Sequence, residues 1–148
     1  MKALKALAVV GVVAAVIAWS PSLLAQRVVG LLPPSVADLA TAQVVEIRDA
    51  SGTAVLTGTF VKKSDKSDEV ELAATLSPIT GNTGKGKAEI ELETSGSVAN
   101  QEIEVIVKRL QPQTAFKLYV DAAEVATFTT NGKGDADLKF TSTQSTPK

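Results

Sequence analysis

An all-β fold, either a single antiparallel β-sandwich of immunoglobulin-like kind or a small barrel of about eight strands, is predicted by three observations. Apolar residues recur at every second position through most of the chain after Ala42. Turn-forming residues break that alternation at short intervals. No helical period follows, and no connection is long enough to carry the crossover helix of a parallel βαβ unit.

A signal helix precedes this fold in the sequence reading. Met1-Lys2-Ala3-Leu4-Lys5 is a short basic start, and Ala6 to Trp19 is an uninterrupted apolar run ended by Ser20-Pro21. The run suits a secretory signal and is short for a bilayer span, which takes about 20 apolar residues. Leu23-Leu24-Ala25 offers a small residue for cleavage after Ala25, so residues 1–25 are expected to be removed and the remainder to be extracytoplasmic, periplasmic or secreted. The competing reading is an uncleaved anchor, supported by the apolar continuation Leu23, Leu24, Val28, Val29, Leu31 and Leu32. The membrane would then be a partner only through that segment. Taking Lys2 and Lys5 from the 15 basic residues leaves 13 beside 16 acidic ones, a net of −3. Such a surface favours solubility and shows no nucleic-acid footprint.

Residues 26–41 contain Gly30, Pro33-Pro34 and a candidate turn at Ser35 to Leu39. The prolines remove backbone donors, so the segment reads as a spacer, or as a strip whose apolar residues pack on the domain edge. The domain proper is expected over residues 42–143, with 144–148 a fraying tail.

Within the domain Gln43 to Arg48 is rich in β-branched residues and Asp49-Ala50-Ser51-Gly52 is a turn. Thr53 to Val61 is the next strand. Lys62 to Asp68 has no apolar residue and reads as an exposed loop. Val70, Leu72, Ala74 and Leu76 alternate up to Ser77-Pro78, and Ala88, Ile90 and Leu92 alternate after the glycine-containing connection Ile79 to Lys85. Ser95-Gly96-Ser97 leads to Ile103, Val105 and Val107, then Gln111-Pro112-Gln113 to Phe116, Leu118 and Val120. Asp121 to Glu124 makes a tight reversal into Val125 to Thr130, and Asn131-Gly132-Lys133-Gly134 turns the chain into Ala136, Leu138 and Phe140. Residues 84–92 match residues 132–140 in class at nearly every position, 48 residues apart. A duplication of two four-strand halves and a generic turn-plus-strand pattern both account for this.

The chain has no histidine and no cysteine, which removes Ser-His-Asp and Cys-His nucleophile systems, imidazole or thiolate metal sites, and disulfides. Glu89, Glu91, Glu93, Glu102 and Glu104 could supply a carboxylate pair for glycoside chemistry, but they alternate with core positions and read as a solvated outer face carrying Lys87 and Lys108 as well. A Ser-Lys dyad drawn from Ser64, Ser67, Lys63 and Lys66 lacks the burial that depresses a lysine pKa. Asn131, Asp135 and Asp137 near the glycine turn, and Asp65, Asp68 and Glu69, are oxygen clusters without calcium-loop spacing. Phe60, Phe116, Phe128 and Phe140 fall on core positions. Tyr119 lies on the opposite face and is the single aromatic available for an exposed contact. No catalytic, cofactor-binding or metal residue is assigned.

The run Gly84 to Ser142, through Ala88 to Leu92, Leu110-Gln111-Pro112-Gln113-Thr114 and Val120 to Gly132, resembles a pattern of small secreted bacterial β proteins of unassigned role. The same run is similar to chordin-repeat β domains. That resemblance implies a secreted β domain and transfers no functional residue, since histidines found in many such domains are absent here. The expectation is an exported, non-catalytic binding or structural module with an unknown protein or surface partner. The alternative is a subunit of an extracellular fibre or surface assembly that pairs strand edges.

Overall fold

The computed structural model describes residues 26–36, 38–94 and 100–142. The expected signal helix, the Ser95-Gly96-Ser97 turn and the 144–148 tail lie outside the described residues. Ten strands form one mixed, nearly closed barrel-like sheet: β1 (Gln26–Leu31), β2 (Val44–Asp49), β3 (Ala54–Thr59), β4 (Val61–Asp65), β5 (Glu69–Pro78), β6 (Lys85–Glu93), β7 (Asn100–Lys108), β8 (Ala115–Val120), β9 (Ala123–Thr129) and β10 (Ala136–Thr141). Their order is β1-β10-β7-β6-β5-β3-β2-β8-β9, with β4 pairing β5 beside this path.

The two-residue period does what the sequence predicts. Ala88, Ile90 and Leu92 on β6, Ile103, Val105 and Val107 on β7, and Ala136, Leu138 and Phe140 on β10 point inward and are buried, as are all four phenylalanines. Each large side chain removed from water in this way contributes about 1.5–3 kcal/mol before conformational entropy is counted. Phe116 and Phe128 lie directly opposite across β8 and β9, ring centroids 6.0 Å apart, an aromatic cross-strand pair.

Three features depart from the sequence reading. The segment read as a spacer contains β1, which pairs in parallel with β10 from Gln26↔Ala136 to Leu31↔Thr141. The sheet is therefore mixed rather than purely antiparallel. No crossover helix is needed, because the whole intervening domain is the connection between these two strands. Beyond β1, Leu32 N donates to Thr141 O, Leu39 N donates to Gln101 Oε1 at 2.6 Å, and Val36, Leu39 and Ala42 are buried. The alternative reading of this segment, apolar residues packed on the domain, is the one realised.

The second departure is Lys62 to Asp68, read as a loop. Lys62 to Asp65 belongs to β4, and only Lys66, Ser67 and Asp68 form the hairpin, closed by Lys66 N donating to Glu69 O. β3 and β4 are one strand bent at buried Phe60: Leu56 and Thr57 pair with Pro78 and Ser77, then Val61 to Asp65 pair with Ala73 to Val70. Lysines on an edge strand discourage further pairing, so the polar run is a guarded edge. Counting β1 and β4 raises about eight strands to ten.

The third is the internal match. β6 and β10 flank β7 on its two sides, but the first half runs β2-β3-β5-β6 as consecutive neighbours, whereas the second separates β8-β9 from β7-β10. The halves have different pairing patterns, and the similarity is confined to a turn and a strand.

Candidate functional site

Two surfaces and one loop cluster hold the chemistry-bearing residues. The loop cluster lies where the β7–β8 and β9–β10 connections meet. Thr130 and Asn131 are buried there, the two polar residues in the otherwise apolar interior of the described residues. Thr130 Oγ1 donates to Gln111 O at 2.6 Å and accepts from Thr114 N at 3.1 Å. Asn131 Oδ1 accepts from Lys133 N and Asp135 N, both at 2.9 Å, and Asp135 Oδ1 accepts from Arg109 N at 3.1 Å. Gly134 (φ 81°) closes the clasp by accepting from Leu110 N through its carbonyl oxygen. The oxygens considered for calcium at Asn131 and Asp135 are thus engaged by backbone amides, the arrangement of a turn.

The first surface is the outer face of β5, β6, β7, β10 and β1. Register sets three rows across it: Glu71–Glu91–Glu102–Thr141–Leu31, Ala73–Glu89–Glu104–Lys139–Val29, and Thr75–Lys87–Ile106–Asp137–Arg27. Glu69 faces Glu93 at one end, and Lys85 faces Lys108 at the other. Charge along β6 and β7 is therefore segregated, glutamates at one end and lysines at the other, while β10 brings Lys139 to the glutamates. Glutamates stand directly opposite glutamates, an arrangement that costs stability. The Glu91 pKa is raised by partial desolvation and then by the neighbouring carboxylates of Glu93, Glu102, Glu69 and Glu71. Lys139 Nζ reaches Glu102 Oε1 at 2.8 Å, and that hydrogen bond and charge raise the Lys139 pKa. These carboxylates lie side by side on an open sheet face, whereas glycosidase pairs face each other across a bound sugar.

The second surface is the outer face of β2 and β8. The Arg48 guanidinium lies 4.1 Å from the centroid of half-buried Tyr119 and pairs with Glu46 at 2.6 Å. The single tyrosine is covered by a cation–π contact of its own sheet. On β4, Lys62 pairs with Asp65 at 2.8 Å, Lys63 is exposed, and Ser64 Oγ is buried with no hydrogen-bond partner, while Lys66 is exposed in the hairpin that follows. No group of three or more acidic side chains arranged to hold a metal ion occurs among the described residues.

Sequence reasoning missed the burial of Thr130 and Asn131, which carry ordinary turn chemistry, and the stacking of glutamates, which depends on register. No family model, curated protein or solved structure matches the chain.

Proposed function

We propose that the protein is an exported, non-catalytic β module that works through its outer surface, as a binding or structural element. One observation carries this reading. The inward positions are filled by apolar side chains, and the hydroxyl of Thr130 and the side-chain oxygen of Asn131 are engaged by loop backbone, so recognition falls to the outer faces and strand edges. Export rests on the basic and apolar N-terminal sequence, with cleavage after Ala25. Fractionating the producing cell and weighing the intact protein tests it. A mass beginning at Gln26 in the soluble extracytoplasmic fraction supports the reading, and recovery from the cytoplasm overturns it.

A second reading, assembly by strand-edge pairing, is favoured by β1, an end strand of the sheet whose Val29 and Leu31 are 65% and 49% exposed. Self-association of the recovered protein, followed by light scattering against concentration, tests this one.

A further inference from the structure

We propose that β1 is a self-complementary edge, through which two copies of the chain pair antiparallel about a two-fold axis at Val29, joining two barrels into one continuous sheet. The proposal rests on the strand-edge reading above and names its edge, its partner and its register.

The described strands leave three open edges: β1, β4 and β9. Folded proteins protect such edges with charge, bulges or irregular ends. β4 carries exposed Lys62 and Lys63 and a register shift between Lys62 and Ser64. β9 carries exposed Glu124 and is paired to β8 across a shift between Leu118 and Tyr119. β1 keeps unbroken register with β10, and its outward residues are Arg27, Val29 and Leu31. With one exposed charge, Arg27, and no register shift, it is the least guarded of the three edges.

Backbone geometry selects how it pairs. Leu32 N donates to Thr141 O on the β10 side. The alternation of a parallel ladder then turns the N–H and C=O of Arg27, Val29 and Leu31 to the open side. In an antiparallel pair centred on Val29 those three residues meet Leu31, Val29 and Arg27 of the second copy, and each pair exchanges two backbone hydrogen bonds. Of the registers that place an open-side residue on the axis, charge and proline exclude the other two. Centring on Arg27 sets Arg27 against Arg27, a like-charge contact. Centring on Leu31 sets Val29 against Pro33, which has no N–H to give. In the Val29 register each Arg27 lies opposite Leu31 of the second copy and beside Asp137 of its own chain. An isologous contact closes with two copies rather than growing into a fibre. One strand pair is smaller than the interface of a stable dimer, so the dimer is expected to exchange and is best read by trapping it.

The chain contains no cysteine, so single cysteines report without background. Hydrogen-bonded antiparallel partners have Cα atoms about 5.5 Å apart, within disulfide reach. V29C, V61C on β4 and T127C on β9 are each oxidised mildly in the protein as recovered from its producing cell. The expected result is a covalent dimer from V29C at a concentration where V61C and T127C stay monomeric. V29E, which sets two glutamates against each other at the axis while facing Lys139 of its own chain, should weaken self-association about tenfold or more without lowering the melting temperature of the dilute monomer. V29C cross-linking no faster than the other two overturns the proposal. If V61C or T127C cross-links instead, edge pairing stands through another strand and the β1 proposal alone falls. Light scattering that stays monomeric at high concentration, with no cross-linking of any of the three, removes both.

Discussion

Replacing Gly134 with alanine should cost far more than the same change at another positive-φ glycine. Gly134 has φ 81°, and a Cβ there would lie 1.9 Å from Leu110 O, a backbone atom that cannot rotate away. The left-handed conformation itself costs alanine about 1–2 kcal/mol. Relieving the clash moves the two loops apart and breaks Leu110 N to Gly134 O and Arg109 N to Asp135 Oδ1, each worth about 1 kcal/mol. G134A is therefore expected to lose about 3–5 kcal/mol, a large part of the 5–15 kcal/mol typical of a domain. Gly52 is the control: its φ is 89°, with nothing within 4 Å of an added Cβ. G52A should lose only the conformational part, about 1–2 kcal/mol. Urea unfolding of both variants at one temperature measures the difference. Losses equal within about 0.5 kcal/mol would refute the clasp as the element that joins these loops.

Other outcomes follow from the same contacts. Asp121 and Ala122 turn β8 into β9 with φ 46° and 66°, and A122G, by relieving a left-handed alanine, should gain about 0.5–1 kcal/mol in urea unfolding. L39A should cost about 2–5 kcal/mol, because Leu39 is wholly buried; a cost under about 0.5 kcal/mol would return residues 26–41 to the status of a spacer. E91Q tests the glutamate rows by its pH dependence. The raised folded-state pKa of Glu91 means that its stabilising protonated state is fully present below the unfolded value, about 4.5, and is lost as pH rises through the folded value. E91Q should thus be more stable than the parent by a few tenths of a kcal/mol at neutral pH and no different well below pH 4.5. Asp49 has the opposite sign. Its pKa is lowered by the Ser51 hydroxyl and then the Thr53 amide, so its contribution is present above the unfolded value and lost as pH falls through the folded one. D49N should therefore flatten the acid limb of the unfolding curve.

Strands were legible in the sequence wherever one face is apolar and the other charged. Ile103, Val105 and Val107 against Glu102, Glu104 and Lys108 could be nothing else in a chain without helical period. β4 was not, because an edge strand set beside β5 needs no apolar alternation and hides as polar sequence. β1 was obscured by Gly30 and the following Pro33-Pro34, whose local preference for extended, unpaired chain is overridden by packing of Val28 and Leu39 on the core. At the surfaces the outward direction of the glutamates was readable. Their neighbours were not, since Glu91 meets Glu71 and Glu102 only through the register of three strands. Arg48 and Tyr119 are 71 positions apart and meet for the same reason.

Amide hydrogen exchange across residues 26–42, at low and high protein concentration, tests most directly that β1 is a full barrel strand with an open, self-pairing side. In dilute protein the amides of Val28, Gly30 and Leu32, turned to β10, should be protected, while those of Arg27, Val29 and Leu31 exchange freely. Raising the concentration should slow those three alone. Fast, uniform exchange from Gln26 to Ala42 at every concentration would contradict both the strand and its edge.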